Sequence, residues 1–284
     1  MKIKFFLLCC IFTVFSIHIK AQQTYVGLNM GYGTGLPLYS LGTSTTSTGY
    51  STTYTLEKGN YGQGLNFDIK LGAMFNKNMG VELGMSYFIG NKKEFIISSF
   101  ETDTSSGINT ETEGTITHDK IKMIRINPAF KMTFGDQVRP YLRLGIILGL
   151  GTGYTSHKET IVTSTGNLND TVPVEMVREY KGGAAFGFNS AFGVDIDLTD
   201  NLVLFGELSF SSISWAATES RITKYIYDGV DLIPNINPDA LKTVYVDDYT
   251  ESSSVAVSPR ELKTYLPFGS FAISAGVIYT FGEE

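Results

Sequence analysis

Cysteine is almost missing from this 284-residue chain: there are two, Cys9 and Cys10, side by side near its start. Everything beyond them lacks a thiol, a disulfide and any cysteine-ligated metal. Long apolar runs are missing as well. Residues 5–19 form one, broken by Thr13, Ser16 and His18, and its roughly 15 residues fall short of the ~18 that identify a spanning helix. No later segment comes closer, which argues against a helical inner-membrane protein. Positive charge is in short supply, with 22 Lys and Arg against 28 Asp and Glu and a net charge of −6. Nucleic-acid binding is disfavoured with it, because phosphate contact calls for a basic surface. Histidine is scarce too, limited to His18, His118 and His157.

What is present begins with Lys2 and Lys4, then the apolar run, then Lys20-Ala21-Gln22, the order of a secretory signal peptide cut near Ala21. We expect residues 1–21 to be removed and residues 22–284 to form one domain. Cleavage takes away both cysteines, His18 and three lysines, leaving 19 basic against 28 acidic residues. A lipoprotein reading of Cys10 is weak, since Leu7-Leu8-Cys9 puts no small residue before it and the apolar run continues past it.

Beyond the signal, apolar and polar residues alternate in eight stretches: 23–33, 64–75, 79–90, 122–134, 140–151, 183–198, 202–212 and 268–281. The hairpin 64–90 is the clearest. Leu65, Phe67, Ile69, Leu71, Ala73 and Phe75 share one face of its first arm, and Met79, Val81, Leu83, Met85, Tyr87 and Ile89 share one face of its second. Asn76-Lys77-Asn78 supplies the turn. Each arm has about 11 residues, the length a tilted strand needs to cross a bilayer, where a soluble strand typically has 5–6. Pro128 interrupts the fourth stretch and is expected at a bulge or an edge.

The connections alternate between short ones (76–78, 135–139, 199–201) and long ones of roughly 28 to 55 residues, the signature of a transmembrane barrel with short periplasmic turns and long extracellular loops. An even strand number puts both chain ends on the periplasmic side. The fold class expected is therefore all-β, an eight-stranded antiparallel up-and-down transmembrane β-barrel. Closure is required, since lipid cannot satisfy an open sheet edge. The long connections are rich in Thr and Ser, and alternating pieces at 94–100, 160–164, 172–180, 225–227 and 243–246 read as strands continuing above the outer leaflet. Asn237-Pro238-Asp239-Ala240-Leu241 reads as a single helical turn. Phe75, Phe134, Tyr141, Tyr279 and Phe281 fall at one set of strand ends and Tyr32, Tyr87, Phe210, Trp215 and Phe271 at the other, as two aromatic girdles would.

Signal peptide, eight alternating strands, short turns and a last strand ending Gly276-Val277-Ile278-Tyr279-Thr280-Phe281 together resemble small outer-membrane barrels of the OmpA/OmpX type. With Lys20-Ala21-Gln22 as its signal ending, the chain is similar more narrowly to the outer-membrane β-barrel domain proteins of Bacteroidota. The resemblance covers nearly the whole chain beyond the signal and implies the cell outer membrane as location, its lipid and the barrel-insertion machinery as partners, and no cofactor. Gly282-Glu283-Glu284 after Phe281 departs from barrels that end on the aromatic residue, which would make the insertion signal slightly internal.

Chemistry could sit on the inward faces, where Asp68, Lys70, Glu82, Arg125, Lys131, Arg143, Asp195, Asp197 and Glu207 fall. Glu82, Lys131, Arg143 and Asp195 come from four consecutive strands at similar depth, and we expect a charged, hydrogen-bonded layer that plugs a narrow lumen. The alternative is charges solvated in an interior pool. Inward Gly72, Gly84, Gly145, Gly149, Gly187 and Gly193 would leave gaps that keep a water path open. His118 and His157 lie in long connections outside any catalytic signature, so a rim hydrolase is the weakest reading. His157 with Glu159, and Asp247-Asp248, lack metal-ligand spacing, and the glycines of 31–35 and 145–153 precede no helix that would make a phosphate loop. The expectation is a non-enzymatic barrel acting through exposed loops in envelope structure, adhesion or docking of a surface protein or ligand. The competing reading is a narrow porin-like pore.

Overall fold

Period-two alternation becomes eight strands that close on themselves: β1 (Gln23–Gly35), β2 (Gly64–Met74), β3 (Met79–Gly90), β4 (Ile108–Thr133), β5 (Val138–Thr165), β6 (Ala184–Asp197), β7 (Leu202–Trp215) and β8 (Ser270–Phe281). The computed structural model describes residues 23–36, 39–48, 51–103, 108–165, 168–249 and 259–281. The expected signal segment and the Gly282-Glu283-Glu284 tail lie outside the described residues. Every neighbouring pair in the ring is antiparallel, and β1 seals it by pairing with β2 on one side and β8 on the other, so that Gly27 faces both Lys70 and Ile278. No barrel strand is left with an unpaired edge, which is the condition for backbone in lipid.

The two faces are inverted relative to a water-soluble protein. Leu71, Leu144 and Leu150 are 56%, 58% and 67% exposed, while Lys70, Glu82 and Arg143 on the inside are 4%, 4% and 5% exposed. An apolar exterior around a charged interior is stable only when the exterior meets lipid. The short turns share one end of the barrel with Gln23 and Phe281, the first and last described residues. At the first turn Asn76 Oδ1 accepts hydrogen bonds from the Asn78 and Met79 amides at 2.8 and 2.9 Å, an Asx turn that fixes the β2–β3 register.

At the opposite end much of the long connections is ordered sheet. β4 and β5 have 26 and 28 residues, which at roughly 3.3 Å per residue far exceeds an apolar band about 25 Å tall. Their upper halves pair with each other and with flanking strands, Lys93–Asp103 on β4 and Leu168–Lys181 on β5. Glu219–Tyr227 adds to Leu168–Lys181, and Tyr39–Thr48 with Ser51–Gly59 form a hairpin that touches Lys93–Asp103 through a parallel Thr45–Ile97 pairing. A register shift between Asp119 and Lys122 marks where β4 leaves the barrel wall, the place where bulges re-aim a strand.

Two local expectations need correction. Pro128 sits at neither bulge nor edge: it pairs with Leu83, while toward β5 the rungs skip from Ile126–Leu148 to Ala129–Gly145 at unchanged offset. The missing amide removes a local contact without displacing the strand. Residues 237–241 form a hydrogen-bonded turn in which Asn237 caps the Asp239 amide at 3.0 Å, and the helical turn lies earlier, as a 3-10 helix at Ile233–Asn235.

Candidate functional site

The barrel interior is stacked in layers. Nearest the short turns, Tyr25, Met74, Tyr141, Val203, Phe205 and Ile278 form a buried cluster. Lys131 and Arg143 face each other across the β4–β5 ladder, and like charges so placed must each find a carboxylate elsewhere. Both reach past a strand to do so. Lys131 on β4 pairs with Asp195 on β6 at 2.8 Å, and Arg143 on β5 donates to Glu82 on β3 at 2.6 Å and to Glu207 on β7 at 2.7 Å. Lys70 reaches the second Glu207 oxygen at 3.2 Å. The phenols of Tyr25 and Tyr141 donate to Glu82 and Glu207 at 2.9 and 2.8 Å, and the Lys131 ammonium stands 4.2 Å from the Tyr141 ring centre.

Glu82, Arg143, Glu207 and Lys70 thus share one network, and Lys131 with Asp195 forms a separate pair beside it. Asp68 takes a hydrogen bond from Asn29 at 2.9 Å. Arg125 stands apart, its guanidinium 4.2 Å from the Phe88 ring centre and 3.3 Å from Asn66 Oδ1. Asp197 belongs to the rim, where Arg139 holds it at 2.6 Å. Four carboxylates and four cations therefore occupy the lumen, with no excess charge to neutralise.

Gly84 leaves a gap as expected, bordering a polar chamber above the network, but other inward glycines do not. A Cβ on Gly72 would lie 2.0 Å from the Tyr25 ring, and one on Gly193 would lie 2.4 Å from the Tyr141 ring. The missing side chains make room for tyrosines that cross the lumen, and no gap is left there for water. Above the network a chamber of about 60 Å³ remains, bordered by Asn66, Asp68, Asn127, Asn189 and Ser274. That is space for a few waters. Asn127 Oδ1 and Arg125 Nη2 border it without a protein partner among the described residues.

Past the chamber the lumen is closed by apolar rings. Phe88 and Phe268 are fully buried, Trp215 and Met123 almost so, and Phe268 meets Phe88 and Trp215 edge-on at 6.1 and 6.4 Å. Trp215 and Tyr141, which position along the strand assigns to the girdles, are inside, where alternation along β5 also puts Tyr141. The parity signal was available, since Trp215 is even-spaced from Glu207 and Tyr141 from Arg143. Phe268 precedes β8 but opens the alternating stretch 268–281, and its even spacing from Ser274 agrees with its place inside. Its seat depends on the Tyr61 amide bonding the Pro267 carbonyl at 2.8 Å and on its own amide bonding Ile213 O at 2.8 Å. The Trp215 indole donates to Gly182 O at 2.9 Å, in a Gly182-Gly183 turn with φ of 75° and 77° where a side chain would be strained.

The remaining candidates are in the projecting sheet. His157 lies on β5 opposite Met176, with Nε2 3.2 Å from Glu159. His118 is opposite Thr155 in register, and its side chain is outside the described residues. Asp247 is engaged by Lys263 at 2.9 Å. Carboxylates here are held below their usual range by lysine partners: Lys224 on Glu175, Lys181 on Glu179 and Lys242 on Glu219.

A family model described as an outer membrane protein beta-barrel domain matches residues 7–223. No curated protein matches the chain. Among solved structures, the outer membrane protein OprG from Pseudomonas aeruginosa is similar at 12% identity and a TM-score of 0.42, over 93% of this chain and 98% of that one. Neisserial surface protein A is similar at 12% identity and 0.36, over 91% and 97%. The attachment invasion locus protein Ail of Yersinia pestis is similar at 10% and 0.32, over 92% and 99%.

Proposed function

The chain belongs to the outer membrane protein β-barrel domain family, and from that premise we propose that it is a sealed, non-enzymatic barrel acting through the sheet it projects outside the cell, where it docks a surface ligand or partner. The observation that carries this reading is the filled lumen. Arg143 bridges Glu82 and Glu207 across it, tyrosines fill the space beside them, and the Phe88–Trp215–Phe268 cluster closes the far end. A conducting pore of this size would need these layers to part, breaking ion pairs that are costly to separate in a low-dielectric interior. The ordered extension of β4, β5 and their flanking strands offers a stiff surface for recognition.

Planar-bilayer recording tests the reading. Reconstituted protein is expected to give no steady conductance, and steady steps in the nanosiemens range would replace it with the porin-like alternative. Processing belongs to the same reading: residues 1–21 direct export and are removed, the insertion machinery engages β8, and N-terminal sequencing of the membrane form should begin at Gln22.

A further inference from the structure

Beyond the aromatic closure, on the extracellular side, lies a second concavity. It is a cleft of about 230 Å³ between the upper part of β5, the strand Leu168–Lys181 and the segment running into β8. Trp215, Ile121 and Leu266 line its base. The indole N–H of Trp215 is already spent on Gly182 O, and at 1% exposure the ring closes the cleft from beneath and leaves the contact surface to the tyrosine walls. A side-chain carbon built on Gly153 would sit 3.8 Å from that ring and 3.4 Å from Ile121, in ordinary contact with both.

The walls are of a different character. Tyr180 and Tyr245 stack with centroids 6.1 Å apart and an interplanar angle of 22°. Arg178 lines the cleft with both tyrosines, and the Tyr245 hydroxyl meets Ser220 Oγ at 2.9 Å. Glu261 pairs in register with Tyr245 and lines the same cleft, so a cation and a carboxylate face one small space.

This combination selects among ligand classes. The volume equals roughly eight waters at about 30 Å³ each, which fits one small ring and excludes a folded peptide segment. A hydrocarbon would cover the base but strip water from Arg178 and Glu261 without replacing their hydrogen bonds. An anion would gain Arg178 and be repelled by Glu261 and by a net negative chain. A neutral polyhydroxylated ring meets both demands: its C–H face lies on the Tyr180 or Tyr245 ring that lines the cleft, and adjacent hydroxyls take a hydrogen bond from Arg178 and give one to Glu261.

We infer that this cleft binds a terminal ring of a neutral carbohydrate, a hexose or N-acetylhexosamine. The inference rests on the docking reading above and names its ligand class. Trp215 is the single tryptophan of the chain and lies beneath the cleft, so its emission senses a change in what fills the space above it. The test is a fluorescence titration of the full membrane form, in a detergent without a sugar headgroup, with glucose, galactose and N-acetylglucosamine, and with glucuronate and indole-free aromatic benzoate as contrasts. A saturable change in Trp215 emission is expected with at least one neutral sugar, with glucuronate and benzoate at least about tenfold weaker.

Tyr180→Ala and Glu261→Gln should each weaken binding about tenfold or more, the loss of one good polar or stacking contact. Gly153→Leu should abolish it by filling the cleft. Retained heat-modifiable migration on gels shows that each variant is folded, and a variant that fails this check is replaced by the others. The inference is overturned if no neutral sugar alters emission up to about 100 mM, far above a weak millimolar Kd. It is equally overturned if only glucuronate or benzoate binds, or if folded Tyr180→Ala titrates like the unchanged protein. Absent sugar binding together with absent conductance removes this inference alone, whereas steady conductance removes the sealed-barrel reading on its own.

Discussion

Arg143 is the residue on which the interior turns, because one guanidinium serves two carboxylates from opposite walls, Glu82 and Glu207, at 2.6 and 2.7 Å. Its planar fork presents two donors in fixed directions, and a lysine cannot reproduce that geometry. Arg143→Ala leaves two buried carboxylates sharing only Lys70 and two phenols. We expect a loss of about 3–5 kcal/mol, the usual cost of breaking a buried pair by removing one partner, read by urea unfolding in micelles. Glu82→Gln removes one charge and keeps a hydrogen-bonding side chain of the same shape, so its cost should be clearly smaller, with Arg143 still held by Glu207. If Arg143→Ala and Glu82→Gln cost the same, the two-carboxylate bridge does not organise the lumen. Arg143→Lys should fall between them.

At the scale of elements, the projecting sheet differs from the barrel in what holds it. Glu175 and Glu179 on Leu168–Lys181 are kept below the ordinary carboxylate range by Lys224 and Lys181. A folded-state pKa below the unfolded one contributes stability that is present above about 4.5 and is lost as pH falls through the folded value. The lysines of the two pairs are 44% and 54% exposed, so solvent screening limits each pair's share to about a few tenths of a kcal/mol. Acidification from pH 7 toward 3 should therefore lower amide-exchange protection, corrected for intrinsic rate, in Leu168–Lys181 and Glu219–Tyr227 while β1 to β3 keep theirs. Lys224→Met should flatten part of that response. The same contrast explains what could be read from sequence. Lipid on one side and a polar lumen on the other impose parity on every crossing strand, so Leu71 and Lys70 declare their faces one by one. Outside the membrane both faces meet water, parity fades, and the full 26 and 28 residues of β4 and β5 were not legible. Partner choice inside the lumen was also hidden. The ion pairs join residues 61 to 137 positions apart and skip one strand or two, so they depend on stagger and tilt that no local pattern records.

For the whole molecule, the inversion of faces makes exposure mean two different things on one chain. Leu71 on the barrel and Leu56 on the hairpin arm Ser51–Gly59 are 56% and 54% exposed, and by area alone they are equivalent. The first faces the middle of the apolar band and the second lies beyond it, so only the solvent distinguishes them. Arginine at a lipid-facing barrel position near the midplane costs about 2–4 kcal/mol, falling to about 0–1 kcal/mol near the interface. At a water-exposed site a substitution usually stays within about 0.5 kcal/mol. Leu71→Arg should accordingly impair folding into lipid vesicles by the larger amount and Leu56→Arg by almost nothing. Leu150→Arg, 67% exposed at the upper end of the band, should come close to the interfacial value despite being the most exposed of the three. Ranking by depth and against exposure is the expected result of urea titrations of vesicle-folded protein. Equal costs for Leu71→Arg and Leu56→Arg would mean that the apolar exterior of the barrel is not the surface that meets lipid.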